Sequence, residues 1–246
     1  MKNNPLIFVL IFFGLLFTSC NKDDDNSENQ NQEITLTDAD GNVYQTVTIG
    51  NQVWMAENLK TTTFNDGNPI TEYRHFNPNQ STFDWYDPNN LQELFQWAPT
   101  FDLGNFYTEE LPIDFHGAHY NNEAIQTGKL EIEGWRVPTE QDYIELINYI
   151  GNQGHIGNEA TVLKSTEGWF DSSGNGTNLF GFNVKPAGTT IIPGTPDFES
   201  LIARFCTSNI NSNNNTRRAL AFLENGEVLF EDLDVRFGLS IRLIKE

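Results

Sequence analysis

The first residues divide into an apolar block and a polar one. Residues 5–17 are continuously apolar apart from Gly14, and residues 21–32, NKDDDNSENQNQ, carry almost no hydrophobic side chain. The apolar run follows the positive Lys2 and is too short for a stable membrane-spanning helix, but it suits the hydrophobic region of a secretory signal. The polar stretch cannot recover the entropy of ordering and predicts a flexible spacer. From Glu33 onward short alternating segments begin. VYQTVTI and QVWMA flank Gly50-Asn51 and predict a hairpin too short to stand alone. Through residues 61–131 the periodicity weakens and turn residues cluster, at Asp66-Gly67-Asn68-Pro69, Asn77-Pro78-Asn79, Asp87-Pro88-Asn89-Asn90 and Asp102-Leu103-Gly104. The pattern predicts long loops with one short helix at NNLQELFQWA, where Leu91, Leu94 and Phe95 recur at one-turn spacing.

The segment GWRVPTEQDYIELINYIG carries the clearest helical signal. Thr139 is placed to cap it, Glu140 and Asp142 occupy the first turn, Tyr143, Leu146, Ile147 and Ile150 form the apolar stripe, and Gly151 is the expected stop. Phe180, Phe182 and Val184 recur at period two and predict a strand. TPDFESLIARFCTSN predicts further strands, and Asn225-Gly226 joins RALAFLE to EVLFE in a tight hairpin. In the last run, GLSIRLIKE, Leu239, Ile241 and Leu243 alternate with Ser240, Arg242 and Ile244, which predicts a closing strand at or near a sheet edge.

The chain has 246 residues, enough for one large domain or two small ones, with 14 basic and 34 acidic side chains and a formal charge of −20. Such a surface repels phosphate backbones, so nucleic acid is excluded as a partner. There are two cysteines. Cys20 follows the small residues Thr18 and Ser19, an arrangement that resembles the lipobox of bacterial lipoproteins. The resemblance implies a signal peptide over residues 1–19, acylation of Cys20, and a linker through residue 32. The acidic residues Asp23, Asp24 and Asp25 resemble the export signal of Bacteroidetes lipoproteins, which implies an outer membrane location on the cell surface. With Cys20 acylated, Cys206 has no thiol to pair with and reads as a small buried hydrophobe.

DGNVYQTVTIGNQVWMAENLK, GWRVPTEQDYIELINYIG, LKSTEGW with GTNLFGFNVKPAG, and FGLSIRLIKE together resemble, in that order, the Fibrobacter succinogenes major paralogous domain over roughly residues 36–246. The resemblance implies an α+β domain over residues 33–246 of C-type-lectin-like fold, with small twisted antiparallel sheets, one or two helices and long loops. Members often carry a cysteine before the Gly-Trp pair and another in the closing strand; Glu131 and Leu243 stand near those positions here. ARFCTSN replaces the family's Trp-Ser-Ser segment. GWRVPTE also resembles formylglycine-generating enzymes, whose chemistry depends on a cysteine pair that the single Cys206 does not supply. Gly134, Trp135, Arg136 and Thr139 are then structural residues, with Trp135 expected behind the helix and Arg136 bonded to buried carbonyls or a carboxylate.

His116 and His119 form H-x-x-H with Asp114 nearby, but no third zinc ligand is evident. Neither Glu-Pro-Asn nor Gln-Pro-Asp, the calcium triplets of sugar-binding lectins, is present; Asp232 and Asp234 read as a solvated face, and no metal site or cofactor is assigned beyond loosely bound calcium. No nucleophile elbow, zinc-protease helix or phosphate loop occurs. The expected function is non-catalytic binding of a glycan or an envelope protein through the long loops, with Trp85, Tyr86, Trp97 and Tyr107 as candidate contacts. A structural role in a surface complex and a hydrolase activity are the alternatives.

Overall fold

A computed structural model of the chain describes residues 35–74, 84–89, 91–100, 111–170, 173–192 and 194–246. The expected signal segment, Cys20 and the linker lie outside the described residues. The described ones belong to one unit, Glu33–Glu246, and are mixed α+β, built mostly of small antiparallel sheets with few helices.

The expected early hairpin is present: β3 (Thr46–Ile49) pairs with β4 (Gln52–Met55), with Val47 opposite Trp54. Upstream, β1 (Leu36–Thr37) pairs with β2 (Val43–Tyr44). Asp38 holds that turn together by accepting the amides of Asp40 and Asn42 and the Tyr44 hydroxyl. The late hairpin also matches its Asn-Gly signal. β9 (Thr189–Ile191) pairs with β10 (Thr195–Asp197), and β11 (Ile202–Asn211), β12 (Thr216–Leu223) and β13 (Val228–Asp234) form a three-stranded meander, with Gly226 at φ 90° in the last turn. There the missing Cβ removes the penalty that any other side chain carries at positive φ.

Helix α2 (Glu140–Ile150) starts where the capping signal placed it. Thr139 Oγ accepts the Asp142 amide, and the Asp142 carboxylate takes the Thr139 amide in return, closing a capping box. The α-helix ends at Ile150 with Gly151 as its C-cap, where the stop was expected. Gly151 keeps helical angles, and the chain widens there into a π-type turn, Gly151–His155, broken by Gly154 at φ 94°.

Two further expectations fail for identifiable reasons. NNLQELFQWA does not form a helix; it carries β6 (Leu94–Trp97), which lies between β5 (Thr71–Glu72) and β7 (Ala118–Tyr120). Leu94, Phe95 and Gln96 are all buried, so the apolar run marks a strand covered on both faces and not a helical stripe. The segment with Phe180, Phe182 and Val184 is a loop. Asn178, Gly181 and Asn183 all have positive φ, which no strand accommodates, and only Val184 makes a bridge, to Lys164. Phe182 and Val184 are nonetheless buried, so period-two burial here comes from an irregular backbone.

The closing run is a strand only at its end: β14 (Ile244–Lys245) stands one strand in from the edge of a four-stranded sheet, between β4 and the edge strand β8 (Trp135–Arg136), which agrees with the expected near-edge position. Upstream in the same run, Gly238 bridges Thr190, Leu239 bridges Tyr120, and Ser240 bridges Phe205. The Leu59 and Met55 amides donate to Ile241 and Leu243 carbonyls. Residues 239–244 are therefore buried on both sides, the supposed polar face included. This run separates two cores. One gathers Met55, Leu59, Tyr120, Ile125, Trp135, Cys206 and Leu243. The other holds Trp54, Tyr143, Leu146, Phe182, Phe205 and Phe222, where Trp54 stacks on Tyr143 at 5.0 Å between centroids.

Arg242 crosses the run as a fully buried cation. Its guanidinium lies 4.6 Å from the Phe182 ring and 5.1 Å from the Phe205 ring, and it donates to Asn58 Oδ1, the Phe182 carbonyl and the Asn183 carbonyl. Burial pulls its pKa down to about 9. Three oxygen acceptors and two ring faces take the place of a carboxylate here.

Candidate functional site

The four residues of the motif around α2 turn, pack or bond within the fold. Gly134 turns the chain at φ 76°. Trp135 is buried in the core with Val137 and Leu243, whereas the apolar stripe of α2 fills the other core, so the ring does not sit behind the helix as expected. Arg136 donates to both Asp142 oxygens, at 2.7 and 2.8 Å. Burial alone would raise the Asp142 carboxyl, but Arg136 and Thr139 outweigh it and hold the group below the usual carboxylate range. The fork and the cap thus share one carboxylate.

The candidate aromatic contacts separate. Trp85 is 1% exposed, with Nε1 donating to the Arg236 carbonyl at 2.9 Å. It packs against Gly194 and Gly238, where a Cβ would stand 2.6 Å and 2.5 Å from its atoms. Its ring faces are covered by protein, so the expected contact role is corrected to an anchor. Trp97 is partly buried against the core and packs edge-on to Phe95. Tyr107 and Cys20 lie outside the described residues. Tyr86, the residue after the buried anchor, is half-exposed and lines an open cleft of about 470 Å³.

The cleft is lined by Tyr86, Leu91, Glu93, Asn122, Glu123, Gln126, Thr127, Asn215 and Val235. Its walls are tied together by two buried side chains. Asn121 caps α1 (Asn122–Gln126) by accepting the Ala124 amide. The same oxygen accepts the Leu94 amide at 2.9 Å, and Nδ2 donates to the Gln92 carbonyl at 2.7 Å. This one amide therefore fixes the α1 wall against the segment carrying Glu93. Arg217, 3% exposed, donates to Asn122 Oδ1 and the Thr207 carbonyl, each at 2.7 Å, and joins α1 to the meander. Tyr86 is steadied by the Arg236 guanidinium, 5.8 Å from its ring centroid, which Asp234 grips through both oxygens. Burial pushes the Glu123 carboxyl up, with the Glu93 charge adding to the shift.

The histidines, the acidic pair and the cysteine weighed from sequence are placed as follows. His119 is fully buried, with Nδ1 3.1 Å from Thr190 Oγ1, and burial depresses it to about 3. His116 Nδ1 lies 2.7 Å from the Pro99 carbonyl. Among the described residues no three His, Cys, Asp or Glu side chains are grouped to hold a metal. Asp232 and Asp234 point to Arg218 and Arg236. Cys206 is fully buried and its thiol is pushed up by burial.

Sequence reasoning missed Glu93, Asn122, Glu123, Gln126, Thr127 and Asn215. A signal existed in NNEAIQT, an Asn cap with an acid in the first turn, but a five-residue helix is too short to display a period. The family model described as the Fibrobacter succinogenes major domain matches residues 47–245. No curated protein and no solved structure matches the chain.

Proposed function

The chain belongs to the Fibrobacter succinogenes major domain family, and from that premise we propose that it is a lipid-anchored, non-catalytic binding domain whose ligand is a glycan held in the Tyr86 cleft. One observation carries the reading: a half-exposed aromatic ring stands in an open cleft among amide, hydroxyl and carboxylate side chains. Sugar recognition uses that combination, a ring against the C–H face of the pyranose and planar polar groups against its hydroxyls. Glu93 and Glu123 make neutral or basic sugars the favoured ligands, since a uronate or a sulfated residue would meet like charge. The reading also takes the small-sheet α+β architecture as C-type-lectin-like, and Cys20 as acylated. Several acyl chains at about 0.8 kcal/mol per buried methylene would hold the acidic body on the outer face of the outer membrane.

One observation favours a second reading, hydrolysis of the bound glycan: Glu123 and Glu93 share the cleft, and burial pushes the Glu123 carboxyl up. A glycan array probed with the full chain, followed by product analysis of each hit, separates the two. Binding without cleavage, weakened at least about tenfold by Tyr86→Ala, is expected; cleavage abolished by Glu123→Gln would establish the second reading, and no glycan bound would end both. Replacing Cys20 by alanine is expected to release the protein from membranes, and unchanged membrane association would refute the anchor.

A further inference from the structure

A second, smaller cavity of about 220 Å³ is lined by Glu57, Asn58, Lys60, Pro112, Asp114, Phe115, His116, Gly117 and Lys185. Its walls are fixed by backbone. The Phe115 amide donates to the Pro112 carbonyl and the Gly117 amide to the Asp114 carbonyl, making two successive tight turns. Gly117, at φ 77°, lets those turns close on Asn58: a Cβ there would stand 2.8 Å from Asn58 Cβ and 2.9 Å from the Leu59 carbonyl. Asn58 Nδ2 then donates to the His116 carbonyl at 2.9 Å.

Two lysines face this space in unlike states. Lys60 is committed to Asp114 at 2.8 Å. Lys185 is half-buried, sits 3.6 Å above the Phe115 ring, and donates to the Phe115 carbonyl at 3.3 Å. An ammonium has three N–H donors, and among the described residues no carboxylate reaches ion-pair distance of this one. Behind the pocket, Asn58 Oδ1 is held by the buried guanidinium of Arg242. The lining carries Lys60 and Lys185 against Asp114 and Glu57, with Asp114 taken up by Lys60. In a chain of charge −20, Lys185 is therefore the point in this space where one negative charge can be received, and the two acids disfavour a dianion.

We propose that this pocket binds a singly charged carboxylate of a small polar molecule, of the size of a sugar acid, with the carboxylate on Lys185 Nζ and the exposed side of Lys60, and the carbon skeleton against Phe115 and Pro112. Desolvation depresses the Lys185 pKa, with the nearby Arg242 charge adding to the effect, and a bound carboxylate would offset both. The site is separate from the Tyr86 cleft, which disfavours acidic sugars.

Amide NMR titration of the full chain in detergent with acetate, glucuronate, glucose and inorganic phosphate tests the assignment. Glucuronate is expected to shift Asn58 and Gly117 saturably and to bind at least about tenfold tighter than glucose, with phosphate weaker than glucuronate. Lys185→Met should remove that preference, and Asp114→Asn, which frees Lys60, should strengthen glucuronate binding several-fold. Equal binding of glucose and glucuronate, phosphate binding tighter than either carboxylate, or weakening by Asp114→Asn would overturn the proposal. The Asp114 variant decides the matter by its opposite sign even where the Lys185 variant folds poorly.

Discussion

The closing run, residues 238–245, and the rim of the Tyr86 cleft use polar side chains in opposite ways. In the run, Arg242 has no exposure at all, and its donors end on Asn58 and on two backbone carbonyls. Ser240 is buried beside it and meets Asn58 Nδ2. On the rim, Tyr86 and Glu123 are half-exposed, Glu93 and Gln126 exposed, while the groups that position them, Asn121 and Arg217, are buried and bonded. A polar group spent on protein partners builds; one held at the surface by such groups is available to a ligand. That contrast, more than any motif, is what separates frame from site in this molecule.

The largest effect should come from the frame. Arg242→Met leaves two buried acceptors and one part-buried acceptor without this donor, which at about 1 to 3 kcal/mol each, offset by the relieved desolvation of the cation, predicts a loss of about 3 to 5 kcal/mol in chemical denaturation. A loss below about 1 kcal/mol would break the comparison, since the buried cation would then hold nothing together.

Acid should act next, through His119. Its folded pKa of about 3 lies below the unfolded value of about 6.5. Between those values the unfolded chain takes up a proton that the folded chain refuses, so stability is complete above pH 6.5 and falls as pH drops toward 3. Lowering pH from 6.5 to 5 should remove about 2 kcal/mol, and His119→Asn should flatten that slope. An identical slope in the variant would place the proton uptake elsewhere.

The smallest stability effect belongs to the rim. Tyr86→Ala is expected to change denaturation by no more than about 0.5 kcal/mol, whereas Trp85→Ala, one residue earlier, removes a buried ring and should lose about 3 kcal/mol or more. Two adjacent aromatics with such different values would sharpen the division between anchor and contact; similar values would erase it.

That division was not legible in the sequence. Trp85 and Tyr86 sit together in one loop-rich stretch, and what buries the first is Gly194 and Gly238, far along the chain. Local signals served well where the interactions are local: Thr139 with Asp142, the β3–β4 turn, and the Asn225-Gly226 hairpin. They failed where both faces of a segment are covered. Gln96 and Arg242 are polar and inside, so alternation misreported one face of the closing run as polar and open, and one-turn spacing misreported β6. The cleft was hidden for the same reason, because its walls come from the Tyr86 loop, the Leu91–Glu93 approach to β6, α1 and the turn at Asn215, which only the tertiary fold assembles.

Ligand binding in the Tyr86 cleft is tested most directly by amide chemical-shift mapping of the full chain with the best neutral oligosaccharide from the array. Saturable shifts centred on Tyr86, Asn122, Glu123 and Gln126, lost in Tyr86→Ala while the remaining spectrum is unchanged, are the predicted result. Shifts that leave those residues still, or that persist undiminished without the ring, would contradict it.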